Sequence, residues 1–280
     1  MAKDVKAGPG GRSASYRMED LDEPAELRRL EAQVRLAAPL ELPFLAEAGL
    51  RTDHHLLDVG CGPGFFAEQA AADLVPSGRV TGVDVDPGLL ALARARLAKN
   101  GMAVQFSEGG AAALPLPDDS VDFSYARFLM QHLPQPEAVL AEMVRVTRPG
   151  GVVAVVDTDD GGLLVHPAPD GFEELLSASA AAQKDRGGDR LIGRRFKELL
   201  LGAGLTEVAA SVQTFTSEAV GAEAFLAVTI GFKAGVLGPP HISEAALARA
   251  EASLERVSRA PGFLGVALGF GAHGTVGPKP

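Results

Sequence analysis

Short apolar runs alternate with helix-period stretches through the first 160 positions of the chain. From Glu19 to about Gly49, Leu27, Leu30, Val34 and Leu40 are spaced for one face of a helix, with Gly49 as its stop. HLLDVG (55–60) is a short apolar run ending in a glycine turn, and residues 65–75 read as a helix. RVTGVDV (79–85) is the next strand. Asp86-Pro87 then supplies an N-cap followed by proline at the first helical position. That helix runs to about Lys99 and stops at Asn100-Gly101. AVQFSEG (103–109) and SVDFSYA (120–126) follow as strands. Pro136 opens a helix that ends before Arg148-Pro149-Gly150-Gly151, and GVVAVVDTD (151–159) is a fifth strand. Strands that are apolar throughout and alternate with helices predict a parallel sheet covered on both faces.

Beyond Asp160 the rhythm changes. Residues 170–184 and 190–203 read as helices, and TEVAASVQTFT (206–216) alternates as a strand with one wet face. Helical stretches near 218–234 and 242–259 precede a last strand, FLGVALGFGAHGTV (263–276). Residues 1–15, rich in Gly, Ser and Lys, lack the apolar content of a core and are expected to be mobile. No internal repeat or coiled-coil heptad is present.

With 280 residues, 46% of them apolar, the chain suits one domain with an appended cap. A formal net charge of −10 repels phosphate backbones and anionic lipid, which excludes nucleic acid or a membrane surface as the main partner. Cys61 is the sole cysteine, so no internal disulfide forms, in keeping with a reducing cytoplasm. The first residues show no apolar signal region, and no apolar stretch approaches the roughly 20 residues of a membrane helix. The expectation is a cytoplasmic protein, monomer or homodimer, whose partner is a small molecule.

The densest chemical signal is Asp58-Val59-Gly60-Cys61-Gly62-Pro63-Gly64, where a strand turns into a helix. Alternating glycines let the backbone turn tightly and let a ligand approach it. Any strand–helix turn can hold one glycine, but three behind an apolar strand point to a ligand. The dinucleotide fingerprint G-x-G-x-x-G needs glycine at 65, where this chain has Phe65. A nicotinamide-dependent oxidoreductase is therefore disfavoured. Asp84 ends the second strand, where doubly wound sheets place an acid against ribose hydroxyls; the plain alternative is a surface carboxylate. Asp86 reads as a helix cap. His54 and His55 read as surface residues, and His166, His241 and His273 are too scattered for a metal site.

LLDVGCGPG followed by VTGVDVDPGLL resembles the class I S-adenosylmethionine-dependent methyltransferases. EGGAAALPLPDDSVDF (108–123), QHLPQPEAVLAEMVRVTRPGG (131–151) and ALGFGAHGTVGPKP (267–280) resemble further segments of that family. The likeness covers about 55–160 plus the tail and is nearest to the small-molecule branch, similar to quinone-biosynthesis and natural-product enzymes. It implies an α/β doubly wound seven-stranded sheet of order 3-2-1-4-5-7-6, strand 7 antiparallel, with a helical cap. The chain then divides into a flexible tail and helical lid (1–50), a cofactor-binding core (51–160), and cap insertions plus the last two strands (161–280), all in one domain. S-adenosylmethionine is the implied cofactor and a small organic molecule the implied acceptor.

By position, Gly60, Gly62 and Gly64, with Asp58 and Cys61 beside them, would line the loop under the methionine part. Asp84 would bind the ribose, Val85 would pack on adenine, and Gly110-Ala111 would lie at the adenine edge; many relatives carry Asp where this chain has Gly110. Ala126, Arg127 and His132 would sit near the methionine end. An acceptor that must lose a proton needs a base, for which His132, Asp157 and Asp159 are candidates. His132 also has the ordinary reading of a packed or solvated residue. Phe172, Phe225, Leu226, Ile230 and Phe232 of the cap suit an aromatic acceptor, or ordinary core packing. Residues 13–36 are expected to close as a lid, bringing Tyr16 and Gln33 to the site. A non-catalytic cofactor-binding scaffold of the same fold is the alternative reading.

Overall fold

The computed structural model describes residues 23–98, 104–231, 233 and 237–279. Seven strands form one sheet: β1 (His55–Val59), β2 (Arg79–Asp84), β3 (Val104–Glu108), β4 (Val121–Arg127), β5 (Thr147–His166), β6 (Thr206–Thr216) and β7 (Leu264–Thr275). Their order is β3-β2-β1-β4-β5-β7-β6. β1 to β5 are parallel, and β7 lies antiparallel between β5 and β6. The expected sheet is the one observed.

Adjacent residues of β1 face opposite sides of the sheet, and both sides are covered. Leu57 and Val59 join Val83, Val153 and Val155 under α4 (Pro136–Val146) and α6 (Phe196–Gly202). Leu56 joins Val80, Phe123 and Tyr125 under α1 (Glu23–Glu47) and α2 (Phe65–Gln69, continued by a π turn over Ala70–Leu74). Double burial is why these strands read as unbroken apolar runs. α3 (Pro87–Ala98) packs beside β2 and β3. The cap holds α5 (Phe172–Asp185), α7 (Ser217–Val220), α8 (Ala222–Leu226) and α9 (Glu244–Ser258).

Several local expectations shift. In α1 the buried residues are Glu26, Val34, Ala38, Glu41, Phe44 and Leu45, with Ala48 just beyond its end, while Leu27, Leu30 and Leu40 are only half-buried. The helix docks by its C-terminal half, and Gly49 (φ 89°) closes it with Leu50 N–H on the Leu45 carbonyl, 3.0 Å. β5 does not end at Asp159. It keeps pairing with β7 up to His166, with a register break between Asp159 and Leu164, so residues 161–166 are strand and not cap helix. The helix expected over 218–234 breaks at Gly221 (φ 87°), and a π turn covers Ala227–Gly231. His54 is buried, and the half-buried His55 ring binds the Ser120 carbonyl (2.9 Å) and the Thr81 hydroxyl (2.8 Å). Both histidines fasten the start of β1, at the end of the strand away from the glycine turn. Among the described residues no helix is long and apolar enough to cross a membrane.

Candidate functional site

The glycine turn folds back over the end of β2, with Gly60 and Cys61 N–H both donating to the Val83 carbonyl at 2.8 and 3.0 Å. The three glycines differ. A Cβ on Gly60 would meet Leu129 at 2.9 Å, and one on Gly64 would meet Ala93 at 2.9 Å and Phe106 at 3.0 Å. Those two positions are small because the protein packs against them. Gly62 (φ 51°) has nothing within 4 Å of its Cβ position. Of the three, it alone leaves the loop bare on its outer side. The Cys61 side chain is buried, and its sulfur lies 2.8 Å from where a Gly82 Cβ would stand, so it serves packing.

Asp84 binds this turn to β2. Its Oδ2 accepts from Gly62 N–H (2.8 Å) and its Oδ1 from Asp86 N–H (2.9 Å). Burial pushes its carboxyl above the usual carboxylate range, while the Asp86 and Gly62 N–H groups pull it down. Asp86 caps α3 through Gly88 and Leu89 N–H, as its place before proline predicts. Val85 is 64% exposed, an apolar side chain left open beside Asp84. Across the edge, Gly110 also has nothing within 4 Å of its Cβ position, and Gly109 N–H donates to the Asp84 carbonyl, 3.0 Å. Ala111 packs against the core. A bare turn, a carboxylate, an exposed valine and an open glycine thus follow one another along the ends of β1, β2 and β3.

Arg96 of α3 was not singled out in the sequence. It donates to the Pro63 carbonyl inside the turn (2.6 Å), pairs with Glu68 and lies 3.9 Å over the Phe65 ring. It holds the turn from behind. Its signal was faint: one of two arginines in α3, with partners about 30 residues away.

A second group sits below the turn at the ends of β1 and β4. Asp58 is 1% exposed, and neither carboxylate oxygen has a hydrogen-bond partner. Burial pushes it up to about 7; Arg127 draws it down, while Asp84 and Glu41 raise it further. Arg127 donates through Nε and Nη2 to Oε1 of Glu41 at 3.1 and 3.0 Å. The Tyr125 hydroxyl lies beside the guanidinium without hydrogen-bond geometry. Ala126 is wholly buried on the opposite face, so only its backbone reaches this end. Glu41 was missed, though its signal was present: a carboxylate three residues from Ala38 and four from Leu45, on the apolar stripe of its helix.

The third group ties the sheet to the cap. Asp157 is fully buried and accepts from Gln131 N–H (3.0 Å), Gln131 Nε2 (2.6 Å) and Thr158 N–H (2.9 Å). Burial raises it to about 7 against those donors. Arg190 donates to Gln131 Oε1 at 2.6 Å. Gln183 Nε2 donates to the Gln131 carbonyl (2.7 Å) and to His132 Nδ1 (3.0 Å). Because Nδ1 accepts, the neutral ring carries its proton on Nε2. Burial, then Arg190, Arg29, Arg186 and Lys233, holds the imidazole well below its usual range, so it is neutral. Lys233 pairs with Asp160 at 3.1 Å and is lowered to about 8 by burial. Gln33, Gln131, Thr158, Asp159, Asp160 and Lys233 wall a small cleft of about 20 Å³. Gln33 lines it, whereas His132 and Asp157 stand behind its wall, and Arg194 holds Asp159 at 2.7 Å through two nitrogens. Tyr16 and Phe232 lie outside the described residues. Phe172, Phe225 and Ile230 form the core of the cap with Leu226 against them, so the aromatic-acceptor reading gives way to core packing. No group of three metal-ligating side chains exists among the described residues.

Residues 57–155 match the model of a methyltransferase domain. A ubiquinone/menaquinone biosynthesis C-methyltransferase of Cupriavidus taiwanensis is 34% identical over 113 residues, 40% of this chain and 46% of that protein. A demethylmenaquinone methyltransferase of Listeria monocytogenes is 35% identical over 125 residues, 44% of this chain and 50% of its own length. The chain spans about half the length of these curated relatives. Among solved structures, a phosphoethanolamine N-methyltransferase of Haemonchus contortus superposes with a TM-score of 0.55 at 20% identity, over 86% of this chain and 53% of that one. The [4+2]-cyclase SpnF gives 0.57 at 24%, over 86% and 83%. The structural likenesses establish the fold.

Proposed function

We propose that this chain, whose residues 57–155 match a methyltransferase domain, transfers a methyl group from S-adenosylmethionine to a small organic acceptor. The observation that carries the reading is the continuous line from the unpartnered Asp58 through bare Gly62 to Asp84, Val85 and Gly110. It offers a carboxylate to an ammonium, a flat turn to a chain, a carboxylate to ribose hydroxyls and an apolar side chain to adenine. The residues therefore fit the cofactor. When bound, S-adenosylmethionine supplies a methyl group already activated on a sulfonium and open to direct displacement.

The chain's part is to position and to exclude water. Asp84 holds both the turn and the ribose. Gln33, Gln131 and Thr158 offer amides and hydroxyls to a hydrogen-bonding acceptor. Asp157 acts as a positioning residue, since it fixes Gln131 and the turn that carries His132. His132, neutral with its proton on Nε2, stands behind the cleft wall and is a second positioning residue, held by Gln183. The cleft has room for roughly one water, so a larger acceptor enters as α1 and the turn after α8 part.

Titration calorimetry of the full chain with S-adenosylhomocysteine should give micromolar-range binding. Asp84→Ala should weaken it at least about tenfold, since charge-assisted hydrogen bonds are worth roughly 1.5–3 kcal/mol each. An unchanged dissociation constant would remove Asp84 from the ribose site. Arg96→Met, which keeps a side chain over Phe65 but loses the Pro63 contact, should also cost about tenfold. Equal affinity in that variant would show that the turn needs no brace.

A further inference from the structure

Three consecutive carboxylates of β5's outer half stand at the cleft, Asp157 behind its wall and Asp159 and Asp160 on it, with Thr158 between. Two of them are spent. Asp157 accepts on both oxygens from Gln131 and Thr158, and Arg194 holds Asp159 through both of its oxygens. Asp160 differs. Its backbone N–H is tied to the Arg190 carbonyl at 3.0 Å, and Lys233 Nζ pairs with its Oδ1 at 3.1 Å. Its Oδ2 is buried with no hydrogen-bond partner, and Arg190 Nε stands 4.0 Å away, beyond hydrogen-bond reach. A buried carboxylate oxygen left without a donor is costly, so its retention points to a donor that arrives from outside the chain. Lys233 also lines the cleft, is 3% exposed, and donates to the Thr229 carbonyl in the π turn just before it. Burial lowers its ammonium to about 8 and Asp160 supports it, so it is charged at neutral pH. The same lining holds Leu163, Val228, Ala267 and Leu268, which suit an apolar body.

An oxygen that needs a donor, next to an ammonium that donates, is complemented by one atom that does both. A carbonyl only accepts and an ammonium only donates, whereas a hydroxyl does both. We propose that Asp160 and Lys233 are the specificity-determining pair of the cleft: they seat one hydroxyl on an apolar ring of the acceptor, its O–H donating to Asp160 Oδ2 and its oxygen accepting from Lys233 Nζ. This deepens the methyl-transfer reading and rests on the cleft being the acceptor site.

Three ring probes of nearly one shape test the seat, titrated by fluorescence at pH 7 into the full chain saturated with S-adenosylhomocysteine. 2-Naphthol donates and accepts, 2-methoxynaphthalene only accepts, and 2-ethylnaphthalene does neither. Each step up this series should tighten binding by about tenfold, the worth of one charge-assisted hydrogen bond. Asp160→Asn keeps the shape, but its amide oxygen turns to Lys233 and its NH₂ then faces the hydroxyl, donor against donor. It should erase the step from ether to naphthol and leave the other two probes within about twofold. Lys233→Met keeps the stem and should erase the step from the ethyl compound to the ether. A pair that only pins the turn after α8 to β5 would, when altered, weaken all three probes alike, and that result overturns the proposal. So does equal affinity for naphthol and its ether in the unaltered chain, or no saturable binding of naphthol, whether or not the variants fold. If the chain binds S-adenosylhomocysteine and any of these occurs, the seat is wrong while the methyl-transfer reading stands; if it binds no S-adenosylhomocysteine, that reading fails and this one with it.

Discussion

Gly62→Val is expected to abolish cofactor binding in a chain that still folds. The space outside Gly62 is open, so the valine branches meet no protein atom within 4 Å of the Cβ. They project into the path that a ligand lying on the turn must take. The backbone at φ 51° adds a left-handed strain of about 1–2 kcal/mol for a residue with a Cβ, enough to lower the melting temperature but not to unfold a domain of this size. Gly64→Val is the matched control. Its side chain would strike Ala93 and Phe106, so stability should fall much further, and any loss of binding follows from the damage. Calorimetry with S-adenosylhomocysteine and thermal melts on both variants read the contrast. Binding by Gly62→Val within about tenfold of the unaltered chain would show that no ligand crosses the turn there.

The parts of this site that were legible in the sequence are those built from neighbours in the chain. The glycine turn, Asp84 at a strand end and the Asp86 cap depend on residues within a few positions, and local spacing reveals them. Glu41, Gln131, Arg190 and Lys233 act through partners far off: Glu41 meets Arg127 across 86 residues, and Arg190 meets Gln131 across 59. Each alone is an ordinary polar residue in a helix or turn, and only the sheet order brings them together. The cap misled for a related reason. Phe172, Phe225 and Ile230 carry the composition of a ligand pocket, but a cap outside the sheet needs its own core, and those residues supply it. Similarly, the fifth strand read as ending at Asp159, yet pairing with β7 resumes at Leu164 after a register break and runs to His166.

Arg127→Met should be the most destabilising single change near the site, and its cost should depend on pH. Methionine fills much of the same volume but leaves Glu41 and Asp58 buried with no cation. Breaking a buried pair from one side typically costs about 3–5 kcal/mol. The groups acting on Asp58 are Arg127, which lowers its carboxyl, and Asp84 and Glu41, which raise it. In the intact chain Asp58 stands at about 7 against an unfolded value of 3.8. Between those values the folded state binds a proton that the unfolded state releases. The stability this group contributes is therefore present at low pH and lost as pH rises through about 7. Removing Arg127 takes away the one lowering charge, so the window in the variant moves upward and Asp58 stays protonated to higher pH. Unfolding in urea at pH 6 and pH 8 should then show a deficit for Arg127→Met that is clearly larger at pH 8. A deficit below about 1 kcal/mol, or one equal at the two pH values, would mean that solvent already reaches these carboxylates. In that case their charge needs neither the guanidinium nor a bound ammonium to balance it.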